Sequence, residues 1–156
     1  MRCTSRSFGG RFFAGDRVFF DPAAPFLGRG TNGGFNVTLR PMARLQSEVS
    51  FDTSRFVDTR AGDVEVFNVK IVRAFTTYQF TDRFLLRNIT EYNTFSTRLG
   101  GNLLLTYRIN AGTVFYLGYD NHFQQGDQID EDRFPTAVLR RTNRAIFTKL
   151  QYLFRY

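Results

Sequence analysis

The sequence has no tryptophan, a single cysteine, a single histidine and four prolines. Each scarcity removes a class of explanation. Cys3, being alone, can form neither an intrachain disulfide nor a thiolate metal cluster. His122 is placed with no Ser or Cys that would partner it in nucleophilic catalysis, and it reads as a solvated loop histidine. Long apolar runs are also missing: a membrane-spanning helix needs a window of about 18 apolar residues, and none is present. The opening stretch MRCTSRSFGG has no apolar segment of the kind a secretory signal requires, and no apolar lead before Cys3 of the kind a lipoprotein anchor requires. If the chain is exported, its signal is expected upstream, and the chain then reads as the C-terminal part of something longer.

What is abundant is aromatic and basic. The 156 residues, ordinarily one domain, include 19 Phe and 7 Tyr and carry a formal charge of +7. Such a balance raises nucleic acid as a partner. The basic residues are scattered, however, with no helix-borne patch and no nucleic-acid-binding motif, so nucleic acid is not expected. Arginines set among aromatics suit an anionic lipid surface at least as well.

The organising signal is period two. In residues 142–156 (TNRAIFTKLQYLFRY), Ile146, Thr148, Leu150, Tyr152, Phe154 and Tyr156 alternate with Ala145, Phe147, Lys149, Gln151, Leu153 and Arg155. One side is apolar and ends in aromatics, which makes an amphipathic strand. It resembles the terminal strand of bacterial outer-membrane β-barrels, whose alternating apolar residues and final aromatic are read by the barrel-assembly machinery. Further strands are predicted over residues 7–20, 35–40, 44–55, 64–78, 84–95, 103–108 and 115–120. Together they make eight, with a loop at 21–33 because of its Pro and Gly. Over 64–78 the pattern puts Phe67, Val69, Ile71 and Phe75 on the apolar side, opposite Asn68, Lys70 and Thr76, with Arg73 interrupting it. Residues 110–112 read as a hairpin turn requiring positive φ. The connections alternate in length: tight at 41–43, 81–83 and 110–112, longer at 21–33, 57–63, 96–101 and 121–141. Outer-membrane barrels alternate in this way and have an even strand number. The expected fold is therefore all-β, an antiparallel up-and-down transmembrane β-barrel of about eight strands, or the C-terminal part of a larger barrel. An amphipathic sandwich strand gives the same local pattern, and a soluble eight-stranded calyx carrying a small apolar ligand suits the same length.

Residues 15–30 (GDRVFFDPAAPFLGRG) and 141–156 (RTNRAIFTKLQYLFRY) resemble the C-terminal region of a large uncharacterised Gram-negative bacterial family. Its members are similar in having a domain like the family-9 carbohydrate-binding module, followed by a β-rich domain of unknown function with the features of an outer-membrane barrel. The resemblance covers nearly all of this chain but only the last part of the family's length. It implies an outer-membrane location and a glycan as partner through the upstream module, with no sugar-binding residue carried over to this chain.

In a barrel of this kind, Ile146, Leu150, Tyr152, Phe154 and Tyr156 form the assembly signal and face lipid. Glu48, Asp52, Lys70, Glu91, Asn93, Asp120, Lys149, Gln151 and Arg155 are expected on the inward face. With eight strands they form a paired polar plug, and in a wider barrel they line a water-filled lumen. Arg140, Arg141 and Arg144 are candidates for forked contacts with lipid phosphate at the outer rim. Asp127, Asp130, Glu131 and Asp132 lack the spacing of a calcium loop, and Gly33 and Gly34 do not stand between a strand and a helix as a phosphate loop demands. No catalytic residue, metal or cofactor is expected, and the chain reads as non-enzymatic.

Overall fold

The computed structural model describes residues 5–20, 24–60, 62–126, 128–129, 131–134 and 137–154. Among these residues the chain forms strands and no helix: β1 (Ser5–Phe19), β2 (Phe26–Met42), β3 (Leu45–Asp58), β4 (Val64–Thr81), β5 (Phe84–Asn93), β6 (Arg98–Asn110), β7 (Thr113–Gln125), β8 (Gln128–Ile129), β9 (Asp132–Arg133) and β10 (Leu139–Tyr152). An 8-stranded antiparallel sheet runs in the order β1-β2-β3-β4-β5-β6-β7-β10, and β8 pairs with β9 in a small separate hairpin. Each strand of the large sheet thus lies beside its neighbour in the chain. The order ends at β1 and β10, which are two free edges, so the sheet is open.

The eight expected strands are those of the large sheet; β2, β6 and β7 are much longer than the alternation alone suggests, while β5 stops at Asn93, short of the expected 95. β2 starts at Phe26 and has 17 residues, so most of the expected 21–33 loop is strand. The glycines that read as loop formers instead sit under bulky neighbours. A Cβ on Gly28 would run into the Phe56 ring 2.7 Å away, and one on Gly34 would meet Oδ1 of Asp52 at 2.5 Å. Glycine in a strand marks such close approach.

The tight connections lie at one end of the sheet, at residues 43–44, 82–83 and 111–112, and the longer ones at the other, at 20–25, 59–63, 94–97 and 126–138. The three tight turns share one construction. Each is preceded by a register shift, at Leu39/Met42, Gln79/Thr81 and Arg108/Asn110. In each, the carbonyl at the second turn position accepts an N–H from the next strand but one: Arg44 from Gln79, Arg83 from Arg108 and Gly112 from Leu153, at 2.7–2.8 Å. Among the described residues positive φ occurs only at Gly62, Asp63 and Thr97, so the turn at 111–112 does not use it. Gly112 is there for space, since a Cβ would lie 3.3 Å from the Leu153 carbonyl, and Asn110 Oδ1 closes the turn by accepting from Gly112 N at 2.9 Å.

One layer of sheet has nothing to pack against. The accessible surface is 11563 Å², against about 8,100 Å² for a compact monomer of this mass. Among the described residues the only buried apolar side chains are Phe26 and Phe56. They belong to a cluster with Phe19 and Phe67 at the long-loop end, with centroids 5.4–6.3 Å apart. Phe19 on β1 meets Phe67 on β4, although three strand spacings, about 14 Å of flat sheet, separate those strands. The sheet therefore curls toward the face that carries this cluster.

Candidate functional site: the two faces of the sheet

Residues directly opposite one another in antiparallel strands share a face, so the register sorts every side chain. One face carries Phe8 and Phe12 of β1, Phe35, Val37 and Leu39 of β2, Leu45, Val49 and Phe51 of β3, and Val72, Ala74 and Tyr78 of β4. It continues through Leu86 and Tyr92, Leu99, Leu103, Leu105 and Tyr107, then Phe115, Leu117 and Tyr119, to Ile146, Leu150 and Tyr152 of β10. On β3 from Leu45 to Thr53 and on β6 from Tyr107 to Leu99 the strand itself puts no charged side chain on this face, about 27 Å along either strand, whereas the edge strands bring Arg6 opposite Leu39 and Arg144 opposite Asn121. It is open to its surroundings: Ile146 is 67% exposed, Leu150 65% and Phe12 76%.

The band has two different borders. At the tight-turn end aromatics touch in sequence across three strands, Tyr78–Phe80 at 4.6 Å, Phe80–Phe84 at 5.0 Å and Phe84–Tyr107 at 6.2 Å, and Tyr152 stacks edge-on against Phe154 at 4.6 Å. At the long-loop end the same face turns ionic, with Asp16, Arg29, Arg55, Lys70, Arg141 and Arg144. There Arg55 pairs with Glu65 at 2.7 Å, Arg141 lies over the Phe123 ring at 5.6 Å and Arg144 over Tyr119 at 5.8 Å.

The opposite, inward-curling face holds the phenylalanine cluster and the apolar residues of β4, and carries most of the sheet's polar and charged groups. Its carboxylates are Glu48, Asp52, Glu91 and Asp120; its cations are Arg11, Arg17, Arg40, Arg73, Arg87, Arg98, Arg108, Arg140 and Lys149. Arg11 reaches across β2 to Asp52 at 2.7 Å, Arg73 forks onto Glu91 through Nε and a terminal nitrogen, and His122 Nδ1 lies 3.4 Å from Asp120. Arg98 donates to Gln124 at 3.1 Å. Between β5, β6, β7 and β10 this face holds a cleft of about 640 Å³ lined by Glu91, Asn93, Arg98, Asn102, His122 and Asn143. Gly100 keeps it open for the imidazole, since a Cβ there would lie 2.9 Å from the His122 ring.

Of the residues expected on the inward face, Glu48, Asp52, Glu91, Asn93, Asp120, Lys149 and Gln151 share the polar face. Lys70 does not: it stands opposite Thr53 at the ionic border of the apolar face. The whole of β4 is the reverse of its expected orientation. Ile71 is opposite Asp52, Phe75 opposite Glu48, and Arg73 belongs to the polar face rather than interrupting the apolar one. The reason is the phenylalanine cluster, which places apolar residues of β4 on the curled side and so reverses the polarity that β4 shows when read alone. Arg141 and Arg144 lie on the apolar face, whereas the irregularity between Arg141 and Asn143 sends Arg140 to the other, where it stacks over Phe134 at 4.2 Å. Ile146, Leu150, Tyr152 and Phe154 are all exposed. Tyr156, Arg155, Asp127, Asp130 and Cys3 lie outside the described residues. Sequence reasoning passed over Arg11 and Arg98, which only the register brings to one level of the sheet, through Gly34, Asp52, Ile71 and Asn93.

No family model matches the chain, and neither a curated protein nor a solved structure matches it. The resemblance of residues 15–30 and 141–156 to the Gram-negative family rests on those residues alone.

Proposed function

We propose that this chain is an integral outer-membrane β-barrel of a Gram-negative bacterium, or the closing eight strands of a wider one. It serves, without enzymatic activity, as membrane anchor or passage for a larger protein whose upstream part handles glycans. The observation that carries this reading is the exposed apolar band, uncharged along β3 and β6 and bordered by touching aromatics at one end and by arginines at the other. Hydrocarbon rejects charge, while an interface accepts aromatic rings and guanidinium groups, so a bilayer matches this sequence of surfaces. Strand length supports it: the large sheet's strands have 10 to 18 residues, and a tilted membrane strand needs about 9 to 11. The free edges of β1 and β10 would then pair with each other, or with strands from upstream, because lipid leaves no backbone group unpaired. In this reading Arg141 and Arg144 meet lipid phosphate, and the apolar side of β10 with its final aromatics is what the barrel-assembly machinery reads.

The test is folding into phosphatidylcholine vesicles, followed by flotation and electrophoresis with and without heating. A closed barrel floats with the lipid and migrates differently when unheated. A chain that instead stays folded and monomeric in buffer without detergent is a soluble calyx with its apolar face turned inward, and sinks the proposal.

A further inference from the structure

We infer that the polar face selects anions: once the sheet is closed, the interior holds and passes small anions in preference to cations. This deepens the membrane reading and rests on it. Asp52 is engaged by Arg11, Glu91 by Arg73, and Asp120 faces His122. Among the described residues Arg17, Arg40, Arg87, Arg98, Arg108 and Lys149 form no ion pair, although all lie on this face. Arg87 is the most exposed to this imbalance: its Nε is buried without a hydrogen-bond partner, between Thr77 and Leu104 on the neighbouring strands. Curling such a face into an enclosed interior brings uncompensated cations together behind low-dielectric walls, where their repulsion is far stronger than in water. The stable way to relieve it is to admit anions, and the forked guanidinium donors fit the oxygens of phosphate and carboxylate as well as attracting chloride.

The experiment uses the chain reconstituted in planar bilayers of neutral phosphatidylcholine across a potassium chloride gradient, with insertion read separately by vesicle flotation. The expected result is a reversal potential corresponding to a several-fold preference for chloride over potassium. That preference falls or inverts in Arg87→Glu/Arg98→Glu, and inorganic phosphate lowers the chloride current of the unsubstituted chain more than that of the variant. Arg29→Glu, on the opposite face, leaves the selectivity unchanged and shows that a loss of positive charge alone is not the cause. If the chain inserts and prefers potassium, shows no preference, or inserts without conducting, the inference is overturned and the membrane reading stands. If flotation shows no insertion, the membrane reading falls and the inference falls with it.

Discussion

At Gly118 the ring of Phe147 from β10 lies over the α-carbon, closer than any side chain could allow. Glycine under a cross-strand aromatic lets a sheet bend while the ring covers the exposed backbone. Gly118→Val is expected to cost about 1–3 kcal/mol through overpacking, read from urea unfolding in detergent micelles. Phe56, 4% exposed, is the centre of the one packed cluster. Phe56→Ala is expected to cost more, about 3–5 kcal/mol, and the same unfolding curves check it. The Arg11–Asp52 pair is exposed on both partners, so Asp52→Asn should change stability by less than about 1 kcal/mol and the difference should shrink with added salt. Glycine in this chain looked like punctuation in the sequence because composition does not say what lies across the strand. Only pairing shows that Gly28, Gly34, Gly100 and Gly118 are each set against a larger residue.

β6 is the cleanest element on which to separate the two faces, because Leu103 and Asn102 are adjacent in sequence and opposite in orientation. If the proposed membrane reading holds, Leu103→Arg is expected to destabilise by about 2–4 kcal/mol in lipid, the cost of a cation in the middle of a band that would face hydrocarbon. Asn102→Arg, across from Asp120, should change stability by less than about 1 kcal/mol. Equal effects from the two substitutions, measured by reversible unfolding from vesicles, would show that the faces do not differ in surroundings. Strands such as β6 and β7 were legible because their alternation agrees with that of both neighbours. β4 was not: its own hydrophobic pattern is dominated by Phe67, which joins the cluster on the curled side, and by Val69 and Ile71 on the same face, and a strand read alone gives a period without saying which face is which. The strand ends were blurred in the same way at β2, where the Pro and Gly that signal a loop continue into paired backbone.

The molecule as a whole is one curved layer whose apolar side has no second layer, and its large accessible surface follows from that. Such a surface in plain buffer, flanked by two unpaired strand edges, invites association. Diluted from urea without detergent, the chain is expected to sediment as polydisperse aggregate, and with detergent as a single species; analytical ultracentrifugation distinguishes the two. The alternation of tight and long connections made the up-and-down order legible from sequence, since short turns permit only adjacent antiparallel strands. That order also sets a timetable. Hairpins joined by residues 43–44, 82–83 and 111–112 can each zip from their own turn in about 1–10 μs. In the proposed barrel the union of the first strand with the last would have the widest sequence separation of all, and the entropy of bringing the chain's two extremes together would make it the slowest event. The seam, rather than any hairpin, is where assembly of this chain would wait for help.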